Sequence, residues 1–432
     1  MVSSKEQSSI YDIKLSSVIP GFISRTRAPQ ELTAMDLAMK LHYVHFVYYF
    51  STPAFDGLTM FQIKGTMIDW LGYAYIPCGR LRREDSGRPF IKCNDSGLRI
   101  IEARCHQCLD DWLKSKDDAR HKFLVPNHVI GPDLTFSPLV MIQITKFRCG
   151  AISIGMSWSH VLGDAISAMN FIKLWTQVIV GNYPTKPLTM AQQKAQTCNI
   201  QSPNHSPDPL SIKRVGPVGD FWSTSNISKM ETFSLFIPMS KLIQLQEKIS
   251  QEKVDPKIPL FESICVVIWK CLGTIRHESG LKVVTVCKND LKNRTKGIIT
   301  NKNQTICVVK TNVSIAECNM MHLGSLMMNQ AVDEGKKIEE AMESDDKLPD
   351  FVIYGANLTF VDLSNASFYD MEVTGQKPVY VSCVIDNIGD NGVVLVLPPP
   401  KGCSDGRIVN ITLLENEVVE LKKILKEDWC IA

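Results

Sequence analysis

The sequence predicts a mixed α/β (α+β) chain of two similar-sized domains joined by a long connection, and three observations predict it. The first is size and composition: 432 residues, 44% hydrophobic and 21% charged, suffice for two sizeable cores and exclude a disordered or fibrous chain. The second is a hydrophobic period that switches repeatedly between two and 3.6, so strands and helices are interspersed. The third is a compositional break from Gly181 to Asp220, where the chain turns to Pro, Ser, Gln and Asn, with Pro184, Pro187, Pro203, Pro207, Pro209 and Pro217. Such a stretch reads as a connection between cores. The predicted domains are therefore 1–185 and 225–432, with 186–224 as the crossover linker.

In the first half, Ile13 to Val18 reads as a strand ended by Pro20-Gly21. Thr33 and Asp36 form a capping box for a helix running to about Val44, ahead of the aromatic run Tyr48, Tyr49 and Phe50. A second helix covers Met60 to Leu71. Gly79 to Gly97 reads as a hairpin with two turns, in which Arg80, Arg82, Arg83 and Arg88 form a solvated loop with Glu84 and Asp85. Val140 to Phe147 and Ala151 to Trp158 make another hairpin, bent at Cys149-Gly150.

After the connection come a strand from Glu231 to Ile237 and helices over Lys241 to Ser250 and Leu260 to Ile275. In the latter Phe261, Ile264, Val267, Ile268 and Cys271 mark the inward face. Val283 to Cys287 and Thr305 to Val309 read as strands, and the stretch around Met320 to Ala341 as helical. Strands over Asn357 to Val361, Val379 to Ile385 and Val393 to Leu397, then a helix around Glu417 to Lys426, complete the chain.

The stretch Ser157-Trp158-Ser159-His160-Val161-Leu162-Gly163-Asp164 stands where the period changes. Before it, Ile152, Ile154, Met156 and Trp158 alternate with small residues; after it, Ala165, Ala168, Met169, Ile172, Trp175 and Ile179 fall at helical spacing. His160 is thus placed on a strand-to-helix turn, where a side chain can reach a cleft. A satisfied histidine at a helix start is the other reading of the same residues. The spacing alone is weak, because His106 and Asp110 repeat it after a stretch with no clean strand and read as polar surface.

Several classes are excluded. With 47 basic and 45 acidic residues the formal net charge is +2, which provides no field for nucleic acid or anionic lipid. Met1 to Ile10 lacks the apolar core of a secretory signal, and no window approaches a transmembrane length. The 14 cysteines are scattered, which reads as reduced cytosolic thiols. Cys105, Cys108, His121 and His128 approximate a zinc-finger spacing, but the last gap is too long and Pro126 interrupts it, so no metal is expected.

Taken together, His160 to Asp164 near the middle, Leu32 to Asp36, Ile76-Pro77-Cys78-Gly79-Arg80-Leu81 and Cys93 to Gly97 resemble the motifs of the plant BAHD (HXXXD-type) acyltransferases. Lys14 to Val18, Met35 to Tyr43, Lys92 to Gly97, Gly131 to Pro138 and Tyr354 to Phe360 are similar to the eceriferum-two-like branch of that family. The resemblance implies two mixed-sheet domains of the coenzyme A-dependent acyltransferase type, with the segment around 365–388 packed on the first domain. It also implies an accessory role in very-long-chain fatty acid elongation for cuticular wax, beside the elongase condensing enzyme (a 3-ketoacyl-CoA synthase). The implied location is the cytosolic side of the endoplasmic reticulum, held peripherally; the alternative is cytoplasmic.

The second function the resemblance offers is an active acyl-CoA-dependent O- or N-acyltransferase. There His160 is the general base and Asp164, turned away and paired with a cation, supports the motif. Acyl-CoA is then the substrate, with no permanently bound cofactor. Two departures are visible. Glu372-Val373-Thr374-Gly375-Gln376 stands where the family carries Asp-Phe-Gly-Trp-Gly, and the lost aromatic bulk is expected to widen an acyl tunnel. Cys287-Lys288-Asn289 stands where the family has an arginine for the motif aspartate, which makes Lys288 the candidate partner of Asp164.

Overall fold

A computed structural model of the chain describes residues 9–22, 27–115, 118–126, 135–191, 208–215, 230–250, 257–277, 281–343, 352–386, 391–400, 402 and 405–431. Two large sheets dominate it. The first has the strand order Ile10–Val18, Leu98–Cys105, Val140–Phe147, Ile152–Ser159, Tyr43–Phe50 and Tyr380–Asp386. All its pairings are antiparallel except that of Leu98–Cys105 with Val140–Phe147. The second runs Met230–Pro238, Gly406–Leu414, Val393–Leu397, Leu358–Asp362, Val283–Asn289, Gln304–Lys310 and Val332–Asp333.

One strand of the first sheet comes from the second half of the chain: Tyr380–Asp386 pairs antiparallel with Tyr43–Phe50 over its whole length. Asn410 ties it to the second sheet by donating Nδ2–H to the Cys383 carbonyl at 2.9 Å. The crossover contributes two short pairings among its described residues. Thr189–Met190 lies parallel to Ile298–Ile299, and Ile212–Arg214 antiparallel to Val352–Tyr354. The remainder of the predicted linker lies outside the described residues.

Several elements differ from the sequence reading. The first helix spans only Ala34–Ala38, closed at both ends of its Thr33–Asp36 capping box, and Tyr43–Phe50 is a strand with every residue buried. A central strand covered on both faces loses the alternation that would mark it and reads as an apolar run. Leu98–Cys105 is also a strand, so His106 does follow one; yet His106 stacks on Tyr11 with ring centroids 3.8 Å apart, and both His106 and Asp110 are exposed. The stretch from Met320 is two helices, Met320–Asn329 and Gly335–Glu343, separated by the edge strand Val332–Asp333. Gly406–Leu414 is a strand that the polar Asn410 and Thr412 concealed.

The arginine cluster is a solvated loop only in part: Arg83, Glu84 and Asp85 are exposed, whereas Arg80, Arg82 and Arg88 are tied down. Arg80 is buried and donates to the Gly97 carbonyl from both Nη atoms at 3.1 Å, while Arg88 grips Glu343 with both Nη atoms. Arg82 reaches the Thr135 carbonyl at 2.7 Å. Burial lowers the Arg80 pKa to about 10, and the carbonyl oxygens around it are what make the burial tolerable.

The helix Ala165–Ile179 is amphipathic and carries its apolar face onto the first sheet and onto the helix Met60–Tyr73. Phe171 lies between Trp70 and Trp158, at centroid distances of 5.6 and 5.4 Å. This packing fixes where the helix begins, and hence where His160 and Asp164 stand.

Candidate functional site

His160 opens a short 3-10 turn, His160–Leu162, between the strand Ile152–Ser159 and the helix Ala165–Ile179. Its backbone is held at both polar atoms. The N–H donates to the His42 carbonyl at 2.9 Å, and the carbonyl accepts from Asn301 Nδ2 at 2.9 Å. Asn301 Nδ2 also donates to Asp36 Oδ1 at 2.9 Å, so the early Leu32–Asp36 motif and the central turn are tied through one amide from the second half. Burial raises the Asp36 pKa, with the bonds from Asn301 and Thr33 acting against it.

The imidazole itself is enclosed. His160 is 1% exposed, and its Nε2 lies 3.4 Å from the Tyr354 hydroxyl, with the rings edge-on at 5.5 Å. Nδ1 has no hydrogen-bond partner among the described residues. Burial lowers the His160 pKa, with the charge of Asp164 as the largest opposing effect. Burial also holds the Tyr354 phenol well above its ordinary value. His42 closes the group. Its Nδ1 donates to the Asp386 carbonyl at 3.1 Å and its Nε2 accepts the Tyr354 backbone N–H at 3.1 Å, which defines a neutral tautomer.

Asp164 serves as the N-cap of the helix, accepting the Ser167 N–H at 2.9 Å. Its carboxylate is gripped in bidentate fashion by Arg294, with Nη1 on Oδ1 at 3.1 Å and Nη2 on Oδ2. Both carboxylate oxygens are thereby committed to the guanidinium and the helix end, and His160 Nδ1 is left out. The arrangement is not a triad. Arg294 corrects the expectation for Lys288, which bonds Glu262 at 2.5 Å instead. Gly163 permits the closeness: a Cβ there would lie 2.8 Å from both the Thr300 N and the Ser167 Cβ.

Among the described residues, no group of three or more His, Cys, Asp and Glu side chains could hold a metal ion. Of the zinc-like spacing, His128 lies outside the described residues, Cys105 is buried, and His121 bonds the Tyr49 hydroxyl. The segment Glu372 to Gln376 is a tight turn. Val373 and Gln376 exchange backbone bonds at 2.9 Å, with Thr374 at φ 48° and Gly375 at φ 78°. Val373 is fully buried and Thr374 Oγ1 donates to the Ala54 carbonyl at 2.8 Å, so the side chain that was expected to leave a wider tunnel is packed into the core.

A buried HxxxD turn between two mixed sheets, the first of them completed by a strand from the second half of the chain, defines the scaffold of the coenzyme A-dependent acyltransferases. The chain belongs to the transferase family of BAHD acyltransferases, whose family model matches residues 24–428. It is 38% identical over 427 residues to Protein ECERIFERUM 26 of Arabidopsis thaliana, covering 99% of this chain and 97% of that protein. It is 35% identical over 430 residues to Protein ECERIFERUM 2 of the same plant, covering 97% and 98%. In three dimensions it is similar to F. graminearum TRI101 complexed with coenzyme A and T-2 mycotoxin, with a TM-score of 0.70 at 12% identity over 94% of this chain and 98% of that one.

The HxxxD turn was legible in the sequence; its partners were not. Arg294 lies 130 residues from Asp164 and Asn301 lies 141 from His160, each on an irregular segment with no periodic signal. Tyr354 stood within a stretch that resembled the branch, and the aromatic residue at its head was the available clue.

Proposed function

We propose that the chain is an acyltransferase-fold accessory protein that promotes very-long-chain fatty acid elongation for cuticular wax, acting beside a 3-ketoacyl-CoA synthase. The observation that carries this reading is the enclosure of His160 beneath Tyr354. A general base must come within about 2.6 to 3.2 Å of the acceptor proton. At Nε2 that place is taken by a phenol of the chain itself.

The similarity to the two ECERIFERUM proteins over nearly the whole chain supports the wax assignment. The coenzyme A named in the TRI101 complex supports an acyl-CoA as the molecule this fold would meet. Among the described residues no helix is long and apolar enough to cross a membrane, which fits peripheral attachment to the cytosolic face of the endoplasmic reticulum. No resident cofactor is part of the proposal.

The intact HxxxD turn favours a second reading. In an active O- or N-acyltransferase, Tyr354 swings aside, Nε2 of His160 takes the proton of the acceptor, the acceptor oxygen or nitrogen bonds the acyl carbon as the C–S bond of the thioester breaks, and coenzyme A leaves as the thiol with that proton returned from His160. Asp164 then acts only by holding the turn against Arg294. The two readings separate on His160→Ala in a reconstituted elongation system. The accessory role expects chain elongation to be nearly unchanged, whereas a base in turnover expects a loss of roughly 10² to 10⁴ in kcat. Full loss of elongation by a folded variant would overturn the proposal.

A further inference from the structure

Two thiols meet at one end of the first sheet. The parallel pairing of Leu98–Cys105 with Val140–Phe147 ends with Cys105 opposite Phe147, and one further bond continues it: the Arg148 N–H donates to the Gln107 carbonyl at 3.0 Å. This sets Cys108, at the N-cap position of the helix Leu109–Lys114, beside Cys149 in the bend after Val140–Phe147. Segments paired in this way lie about 4.8 Å apart, inside the Cα separation of about 4.4 to 6.8 Å that a disulfide spans. The Leu109 N–H, next in the chain after Cys108, donates to Cys149 Sγ at 3.4 Å, and Arg148 Nη2 donates to Cys108 Sγ at 3.6 Å.

The backbone on both sides is held. The Cys108 carbonyl accepts the Trp112 N–H at 3.0 Å, the Gly150 N–H donates to the Phe147 carbonyl at 2.9 Å, and Thr52 Oγ1 donates to the Cys149 carbonyl at 3.0 Å. The two cysteines are therefore neighbours by construction of the sheet end, not by the chance approach of two loose loops.

We propose that Cys149 and Cys108 are a peroxide-reactive dithiol, in which Cys149 takes the first oxidation and Cys108 then closes an intramolecular disulfide with it. Cys149 is exposed and Cys108 half-buried, so hydrogen peroxide meets Cys149 first. Burial pushes the Cys149 thiol up, but bonds from the Leu109 and Ala151 amides and from the Cys108 thiol outweigh it and leave the pKa lowered, which enlarges the thiolate fraction. The nearby Cys105 is buried, and that burial raises its thiol, so it stays out of the reaction.

The steps balance. The Cys149 thiolate attacks one peroxide oxygen, the O–O bond breaks, and the departing hydroxide takes up the thiol proton as water, leaving a sulfenic acid. Cys108 sulfur then attacks the Cys149 sulfur, the S–S bond forms as the S–O bond breaks, and the hydroxide leaves with the Cys108 proton as a second water. Two thiols are oxidised and one peroxide is reduced.

Exposure of the full, reduced chain to hydrogen peroxide, followed by alkylation and peptide mass mapping, tests the proposal. The expected product is a linked Cys108–Cys149 peptide pair, with the intact mass lowered by two hydrogens and restored by dithiothreitol. This is read in the unaltered chain and does not depend on the folding of any variant. Cys108→Ser should leave a sulfenic acid at Cys149 that dimedone traps, and Cys149→Ser should abolish the bridge. Cys430, also exposed, is the control for exposure alone: Cys149 should react at least about tenfold faster. His160→Ala should leave the bridge unchanged, so the test is independent of the role given to that residue. No linked pair, a pair with another cysteine, equal rates at Cys149 and Cys430, or no dimedone adduct in Cys108→Ser would each overturn the assignment.

Discussion

The Tyr354 hydroxyl lies 3.4 Å from Nε2 of His160, and both residues are buried, so the nitrogen that would take an acceptor proton faces a side chain of its own protein. Tyr354→Ala should therefore uncover the base. Release of free thiol from acyl-CoA in the presence of a small alcohol should appear in this variant and vanish in Tyr354→Ala/His160→Ala. Tyr354→Phe keeps the ring and should stay inactive. Equal activity of the Phe and Ala variants would show that the ring is not the barrier.

The Asp164–Arg294 pair should matter for stability more than for any chemistry. The side chains are 2% and 11% exposed, and removing one member of such a pair costs about 3 to 5 kcal/mol because the other is left buried and uncompensated. Asp164→Ala also removes the helix cap, worth about 1 kcal/mol more. Denaturant unfolding should show Asp164→Ala as clearly less stable than His160→Ala. Equal stabilities would refute the buried pair.

His42 should make the fold acid-sensitive. Burial, aided by His160, lowers its pKa to about 3, whereas an unfolded histidine titrates near 6.5. Below that value the unfolded chain binds a proton that the folded chain refuses, so stability is full above pH 6.5 and is lost as pH falls toward 3. The expected loss at pH 5 is about 2 kcal/mol from this residue alone. His42→Gln should flatten the dependence between pH 7 and pH 5, read as the change in unfolding free energy. An unchanged slope would place the acid sensitivity elsewhere.

Restoring aromatic bulk in the altered turn should not shorten the products of elongation. Val373 is fully buried, so Val373→Phe overpacks the core at about 1 to 3 kcal/mol. Gly375 holds φ at 78° with open space around its Cβ position, so Gly375→Trp strains the backbone without filling any tunnel. A lower melting temperature with an unchanged chain-length profile is the expected result. A shift to shorter chains would return these residues to the acyl path.

The legible parts of the fold were those whose pattern is local. The strand Ile152–Ser159 and the helix after it announce themselves by a change of period, and Asp164 sits at the join. Tyr43–Phe50 was harder because burial on both faces erases alternation. Arg80 was misread because charge argues for solvent, while the carbonyls that satisfy it come from Ser96 and Gly97, after an intervening hairpin. Arg294 and Asn301 reach the central turn from irregular segments of the other half, and no rule of spacing connects residues that only the closed fold brings together.

The strand Tyr380–Asp386 also sets an order of events during synthesis. When residue 185 leaves the ribosome, the first sheet has five of its six strands, and Tyr43–Phe50 is an uncovered edge. The missing partner emerges only some two hundred residues later, on the order of ten to forty seconds at ordinary translation rates. An edge strand rich in aromatic and β-branched residues, bare for that long, invites pairing with neighbouring nascent chains. Expression of the first half alone should make that interval permanent and give an insoluble product, whereas co-expression with the second half supplies the closing strand in trans.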